Sequence, residues 1–405
     1  RSRAVFKKEQ SFVTVTLLPQ VTSIHFDESS KFDQLIIPGI IPEGITEITF
    51  NDRFNQPLQP GSIPATVTSL SLGSSYNHKI EQGIIPSSVT ELCLGYTDHF
   101  EPGALPDSIK SLHSEGFNNQ LLVNALPKSL TVLELKRFDM PLSPGVLPHS
   151  LTSIRMEYFE QDIDTDVLPS QLRTLKLEYF DKVLRPSVLP DSLTKLKLGY
   201  GFNSKINPGV LSRSLRYLTF GENFNKKLKT GVLPSSLVSL KLRGVYNKPM
   251  YQSVLPPSLT HLELGHKFYQ PTDHDCIPLS LTSLAYSNNL FICTTSSTFI
   301  FCRIQRVTMK SEVKYHLPLL PRNEWFNGQI RTLVLTYYPS FSYSLRQDAI
   351  RQYLNSGIAN ITLGDFGSLC RIDDKHLIFS IITANSEQRI YITTKDNLLL
   401  ENLIN

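Results

Sequence analysis

The stretch PDSLTKLKLG, residues 190–199, decides the fold, because variants of it recur thirteen times between Pro19 and Tyr286. The phrase opens with proline in every copy but one, where Ser212 takes its place. Successive copies begin 20 to 23 residues apart. A period in this range is typical of one coil of a solenoid, and such a coil is stable only when it stacks on its neighbours.

Each copy of the phrase predicts one short β-strand. Leu196 and Leu198 alternate with Lys195 and Lys197, as in a strand with one buried face. The segment that closes the coil, such as residues 208–211, is rich in proline and too short for a helix. Proline is tolerated in extended segments that need no N–H donor. We therefore expect a mainly β, leucine-rich-repeat-like solenoid with a parallel sheet and an extended convex side.

An aromatic residue follows the strand in twelve coils, and we expect these rings to stack through the core. They are Phe32, Phe54, Tyr76, Tyr96, Phe117, Phe138, Phe159, Phe180, Phe202, Phe224, Tyr246 and Phe268. The next residue is often Asn or acidic. Such side chains satisfy backbone groups in turns, so we predict a structural hydrogen-bonding ladder there.

Beyond Ser287 the proline phrase stops, but strand patterns starting at Ile304, Ile330 and Ile358 continue at longer intervals. These patterns predict three divergent coils and bring the sheet to about sixteen strands. Residues 345–354 have helical periodicity, which predicts some helix near the C-terminus.

The tail predicts a β-hairpin, residues 376–383 and 389–394, that shields the last coil. The expected organisation has three parts: an N-terminal segment or cap, 1–18; a repeat solenoid, 19–287; and the longer coils with a C-terminal cap, 288–405.

These residues resemble the FNIP repeat, a short relative of leucine-rich repeats. The stretches LGYGFN, residues 198–203, and FNQPLQPGSIP, residues 54–64, carry the resemblance, which extends over about residues 19–286. The resemblance implies a non-catalytic binding or scaffold module. In some members such a module is joined to an F-box-like segment that recruits a ubiquitin ligase.

Composition excludes several classes of function. The net charge of +4 over 405 residues is too small to indicate nucleic-acid binding. No apolar run long enough to span a membrane and no signal peptide are visible, so we expect no membrane partner. Five cysteines without CxxC spacing favour a reducing compartment, and we predict a cytoplasmic protein.

No catalytic constellation is visible, so the chain is not predicted to be an enzyme. The densest group of possible metal ligands is His266 with residues 273–276 (DHDC). It lacks a recognised ligand spacing. We therefore predict no cofactor and no metal site.

The fourth residue after the first leucine of each phrase faces solvent, and this column becomes basic from the seventh to the eleventh coil. Like charges on neighbouring strands are unfavourable. They indicate either an acidic ligand or compensation by Glu134, Glu157 and Glu178. The predicted partner-binding residues, which would meet a protein with an acidic surface, are Arg155, Lys176, Lys195, Lys197, Lys241 and Arg243.

The sequence therefore favours a non-catalytic protein–protein interaction scaffold that binds a partner across the sheet face. Two alternatives stay open: the substrate-recognition part of an F-box-type ubiquitin ligase, and an enzyme whose active site is confined to residues 288–405. An extracellular adhesion protein, a weaker reading, would need disulfides and glycans.

Overall fold

The chain divides into two compact units in the computed structural model. Unit 1 comprises residues 1–202 and 210–215, and unit 2 comprises residues 203–209 and 216–405. The structure describes residues 2–6, 20–28, 31–96, 101–270 and 276–287, and six strands beyond residue 305.

Unit 1 is a ladder of parallel strands, in which each strand pairs with the next along the chain. Its strands are β1 (Ser2–Phe6), β2 (Val21–Phe26), β3 (Glu47–Thr49), β4 (Ser69–Ser71), β5 (Glu91–Leu94), β6 (Ser111–Ser114), β7 (Val132–Leu135), β8 (Ser153–Met156), β9 (Thr174–Leu177) and β10 (Lys195–Leu198).

Unit 2 begins with a second parallel ladder, from β11 to β17, and ends in antiparallel pairs from β17 to β20. Its strands are β11 (Tyr217–Phe220), β12 (Ser239–Leu242), β13 (His261–Leu264), β14 (Ser283–Ser287), β15 (Arg306–Ser311), β16 (Thr332–Tyr337), β17 (Asn360–Leu363), β18 (Gly367–Arg371), β19 (His376–Ile382) and β20 (Gln388–Thr394).

Hydrogen bonds explain the turn at the start of the repeated phrase and the serine within it. The backbone N–H of Leu193 donates to the carbonyl of Pro190 at 3.0 Å, which forms the turn before the strand. The hydroxyl of Ser192 donates to the carbonyl of Leu172 in the preceding coil at 2.6 Å. Equivalent serines make the same bond elsewhere in both units. The serine thus ties each coil to the one before it.

The inward side chains form the core that the pattern predicts. In β10 the side chains of Leu196 and Leu198 are buried, whereas that of Lys195 is exposed and that of Lys197 is half-buried. The aromatic column stacks as expected: in unit 1 the rings of Phe138 and Phe159 lie 6.0 Å apart and 1° from parallel. The other pairs of this column in unit 1 include Phe117–Phe138, Phe159–Phe180 and Phe180–Phe202. In unit 2 they include Phe224–Tyr246 and Tyr246–Phe268.

The predicted hydrogen-bonding ladder in the turns is confirmed. The backbone N–H of Asp139 donates to the side-chain oxygen of Asn118 at 2.8 Å, and the carboxylate of Asp139 accepts from the N–H of Glu160 at 2.8 Å. In unit 2 the side-chain oxygen of Asn225 accepts from the N–H of Asn247 at 3.0 Å. Each of these side chains satisfies a turn N–H of the following coil.

Tyr96 does not belong to the core stack, contrary to the expectation from its place in the repeat. Its side chain is 41% exposed, because in this coil the tyrosine comes directly after Gly95 rather than a few residues further along the turn. The ring instead lies against Gly116, where an added Cβ would come within 2.2 Å of it.

The segments that connect one strand to the next contain turns. Gly145 (φ 83°) and Gly209 (φ 80°) take left-handed backbone conformations there, which glycine adopts without strain. No α-helix occurs in the described part of the chain, and within that part no helix could cross a membrane. The helix predicted over residues 345–354 lies outside the described residues.

Strands β15, β16 and β17 lie where the sequence predicts the strands of the three divergent coils, and β19 pairs antiparallel with β20 as expected for the predicted hairpin. The remainder of these coils lies outside the described residues. Two strands were not predicted. β1 continues the parallel ladder on the far side of β2, and β18 joins β17 to the hairpin.

Replacing Phe159 with alanine should lower the free energy of unfolding by about 3–5 kcal/mol, because the truncation leaves a cavity within the ring stack. Urea denaturation followed by circular dichroism measures this. Val183→Ala, which truncates an exposed side chain outside the strands, should change the free energy by less than about 0.5 kcal/mol. Equal effects of the two substitutions would contradict the stacked core.

Candidate functional site

The exposed face of the sheet in unit 1 carries two neighbouring columns of charge. The third residue of each strand forms one column, and the residue just after the strand forms the other. We call the charged face the set Glu134, Arg155, Lys176 and Lys197 in the first column, and Lys136, Glu157, Glu178 and Gly199 in the second. Register places the residues of the first column directly beside one another, at the strand spacing of about 4.8 Å.

Two of the predicted basic residues in unit 1 have acidic partners. The guanidinium of Arg155 lies 3.7 Å from a carboxylate oxygen of Glu134, and the ammonium of Lys197 lies 2.6 Å from one of Glu178. Lys176 stands in register between these two cations. Among the described residues, no carboxylate lies within ion-pair distance of Lys176 or Lys195. Their ammonium groups are therefore not neutralised by an ion pair within the described part of the chain.

Unit 2 contains the other two predicted residues. The ammonium of Lys241 lies 3.1 Å from one carboxylate oxygen of Glu263, and the guanidinium of Arg243 lies 3.5 Å from the other. Glu263 stands beside Lys241 in register. The six predicted residues thus divide between the two units, and four of them have an acidic partner.

A glycine makes room for the Lys197–Glu178 pair. An added Cβ on Gly199 would come within 2.3 Å of a carboxylate oxygen of Glu178 and within 2.6 Å of its Cα. The Glu178 side chain, only 16% exposed, therefore lies over Gly199 and meets Lys197 from there. The small residue at the end of β10 is what allows this pair to form.

Strand β6 extends the charged face with a histidine between two carboxylates. The ring nitrogens of His113 lie 3.0 Å from Glu115 and 3.3 Å from Glu134, and the ammonium of Lys136 lies 2.7 Å from Glu115. A shallow pocket of about 100 Å³ opens here, well below the roughly 300 Å³ of a small-molecule site. Its lining is His113, Glu115, Glu134, Leu135, Lys136, Arg155 and Glu157.

The contacts of Glu115 shift its ionisation. Burial raises the pKa of this carboxyl, but the hydrogen bonds from Lys136 and His113 outweigh burial and lower the pKa below its ordinary value. The same hydrogen bond raises the pKa of Lys136. Both groups are therefore charged across the neutral range, so the ion pair between Lys136 and Glu115 persists there.

Sequence reasoning missed a row of tyrosines beside the charged face. Tyr158, Tyr179 and Tyr200 follow strands β8, β9 and β10, and we call them the tyrosine ridge. The rings of Tyr158 and Tyr179 stack 4.8 Å apart and nearly parallel, and the ring of Tyr200 lies 5.7 Å from that of Tyr179 at a tilt of 54°. The signal was an aromatic just before the core phenylalanine, as in Tyr158-Phe159.

The described residues hold neither an activated thiol nor a cluster of metal ligands. Burial, followed by the nearby carboxylates of Glu134, Glu91 and Glu115, raises the pKa of Cys93, so its thiol stays protonated. Within the ranges that the structure describes, no group of three or more His, Cys, Asp or Glu side chains has an arrangement that could hold a metal ion. The possible metal-ligand group noted in the sequence is His266 with residues 273–276, of which residues 273–275 lie outside the described ranges. Cys276 is buried, and its thiol lies 3.1 Å from the carbonyl oxygen of Met250.

The comparisons with known proteins agree with this geometry. The FNIP repeat model matches residues 32–75, 76–113, 117–159, 159–201, 202–244 and 246–288, more than half of the chain. The chain belongs to the FNIP repeat family. No curated protein matches the chain at a significant level.

Solved structures similar to this FNIP chain are leucine-rich-repeat proteins. CroV588, described as a circular leucine-rich-repeat protein, is 28% identical with a TM-score of 0.65; the match covers 84% of this chain and 56% of CroV588. This chain therefore spans little more than half the length of CroV588. YopM from Yersinia enterocolitica is 19% identical with a TM-score of 0.41 over 80% of this chain and 73% of its own. The likeness to CroV588 shows that the FNIP repeats form a leucine-rich-repeat-like solenoid, an architecture typical of protein-binding scaffolds.

The stability of the FNIP repeats should depend on Glu115 only above acid pH. Because the folded state lowers the pKa of Glu115 below its ordinary 4.5, its contribution is present above that value and is lost as the pH falls below it. Glu115→Gln should lower the midpoint of thermal unfolding at pH 7 and leave it nearly unchanged at about pH 3. The matched control is Glu91→Gln, which changes an exposed carboxylate on the same face. A difference at pH 3 as large as at pH 7 would contradict the assignment.

Proposed function

We propose that this FNIP solenoid is a non-catalytic protein–protein interaction scaffold whose partner lies across the charged face. The proposal rests on three cations in neighbouring strands, Arg155, Lys176 and Lys197. Two of them have carboxylates within ion-pair distance, and Lys176 between them has none among the described residues. Like charges at the strand spacing repel one another, and an acidic group of a partner would relieve this repulsion.

The rigidity of the charged face supports the same function. Its strands are held by backbone bonds on both sides and by the stacked core behind them. A partner would thus meet charges already in position, so binding would cost little ordering of the scaffold. Side chains in such a pre-organised array favour specificity and association rate more than raw affinity.

The acidic partner surface would extend to Lys195, which is exposed and lies two positions before Lys197 in β10. Lys241 and Arg243 in unit 2 would bind an acidic group in the same way, and that group would replace Glu263 as their ion-pair partner. We also propose a cytoplasmic location and a link to a ubiquitin ligase adaptor. Both would be tested with the full-length gene product.

Reversing the two cations that have no ion-pair partner tests the function most sharply. Lys176→Glu with Lys195→Glu removes no described ion pair, so folding should be unchanged while capture of the partner falls at least about tenfold. Partners are first identified by affinity purification of the full-length product with mass spectrometry, and capture is then quantified for each variant. Lys182→Glu with Lys205→Glu, both exposed outside the charged face, is the matched control.

Capture that survives the Lys176 and Lys195 reversal, at an unchanged unfolding midpoint, would remove the charged face as the binding surface. Equal losses in the test and control variants would show a non-specific effect of net charge instead.

A further inference from the structure

The tyrosine ridge runs beside the charged face and has the composition of an interaction surface. Tyr158 is 43% exposed and Tyr200 is 52% exposed. Tyrosine is enriched among the residues that carry most of the energy of protein interfaces, because it combines a large rigid ring with a polar tip. Three such residues in consecutive coils form a continuous aromatic strip.

The three stretches of sequence that carry the ridge are acidic. Residues 157–160 read EYFE, residues 178–181 read EYFD and residues 199–203 read GYGFN, so these three stretches contain four carboxylates and no lysine or arginine. Glu178 is engaged by Lys197. Among the described residues, no cation lies within ion-pair distance of Glu157 or Glu160. The ridge thus offers rings and carboxylates together.

The phenol of Tyr179 reports the same local potential. Its pKa is raised first by the neighbouring phenol of Tyr158, then by burial, and further by Glu157, Tyr200 and Glu178. Of these neighbours, the carboxylates of Glu157 and Glu178 are the ones that favour a positive charge at this point of the surface.

The chain already contains the contact that such a surface would make. The guanidinium carbon of Arg137 lies over the ring of Tyr96 at 5.3 Å from its centre. Tyr96 follows β5 as Tyr158 follows β8, so it belongs to the same edge of the sheet in unit 1. Tyr96 therefore has its cation within the molecule. No cation lies over the rings of Tyr158, Tyr179 or Tyr200 in the described part of the chain.

From these observations we infer that the tyrosine ridge, with Glu157 and Glu160, is a docking surface for an extended protein segment that carries arginine side chains. This inference rests on the proposed scaffold function and adds the chemistry of the partner: arginine over the ridge, beside acidic groups over Lys176 and Lys195. Arginine is favoured over lysine because its planar guanidinium stacks on aromatic rings and forms paired hydrogen bonds with carboxylates.

The tilt of Tyr200 gives the contact its geometry. Tyr158 and Tyr179 cover each other's inner faces, whereas Tyr200 turns 54° away from Tyr179. A guanidinium placed on Tyr200 would reproduce the contact between Arg137 and Tyr96. Further arginines of the same segment would reach Glu157 and Glu160, which lie two coils before Tyr200, beside Tyr158.

The test uses the full chain and a fluorescein-labelled peptide of about twelve residues in which arginine alternates with serine. Fluorescence anisotropy gives the dissociation constant, and matched peptides carry lysine or glutamate in place of arginine. We expect the arginine peptide to bind most tightly, the lysine peptide more weakly and the glutamate peptide weakest. Replacing Tyr158, Tyr179 and Tyr200 together with serine should weaken binding of the arginine peptide by about tenfold.

Two further variants separate the role of the rings from a general effect. The same three tyrosines replaced with phenylalanine keep the ring faces and should bind within about twofold of the parent. Tyr217→Ser removes an equally exposed tyrosine from unit 2 and should leave binding unchanged. Glu157→Gln with Glu160→Gln should weaken binding of the arginine peptide by a larger factor than binding of the lysine peptide, because the paired hydrogen bonds are specific to the guanidinium.

Arginine-peptide binding that is unaffected by the three serine substitutions would overturn the inference, as would tighter binding of the glutamate peptide. The scaffold function is judged separately by partner capture. Loss of capture on reversal of Lys176 and Lys195, but not on loss of the tyrosines, would refute the ridge and leave the scaffold standing. Capture that survives both sets of variants would refute both.

Discussion

The repeat solenoid depends on repetition of one register between neighbouring parallel strands. A coil of about twenty residues cannot bury its own apolar side chains, so each coil uses the next as its core. Backbone pairing such as Leu196 with Leu175 brings leucine beside leucine, and the ring of Phe159 beside that of Phe180. The turn groups follow the same rule, since the carboxylate of Asp139 satisfies an N–H one coil away. A slip by one residue would exchange the buried and exposed faces.

The same register organises the outer surface and thereby the proposed function. Side chains at equivalent positions stand one strand spacing apart, so each exposed column acts as an unbroken row. Like charges in a row repel one another, and the chain relieves this with carboxylates from adjacent positions, as Glu134 does for Arg155 and Glu178 for Lys197. Lys176 keeps an unneutralised charge between them. Rows of tyrosine form by the same geometry, so the charged face and the tyrosine ridge are two products of one repeat.

Much of this could be predicted because a repeat tests every inference many times. The leucine, phenylalanine and asparagine columns each recur in register, so the sheet, the ring stack and the turn ladder followed from spacing alone. Tyr96 was assigned wrongly to the ring stack, because its distance along the turn, rather than its place in the count of aromatics, decides whether it reaches the core. The tyrosine ridge was missed because Tyr158 stands next to a core phenylalanine, and the pattern does not tell which of two adjacent aromatics turns outward. Strand β18 was missed because only its pairing with β17 and β19 distinguishes it from a connecting loop.

From its amino-acid order alone, the chain determined that it is a coiled ladder of short parallel strands, which columns are buried and which basic residues face outward. Those features are periodic, and periodicity is visible in one dimension. The tertiary structure alone decided which charges neutralise one another and which stay available. The pair of Lys197 with Glu178 exists because Gly199 leaves room for a carboxylate to lie across it, and such proximity between side chains of different coils is a property of space rather than of sequence spacing.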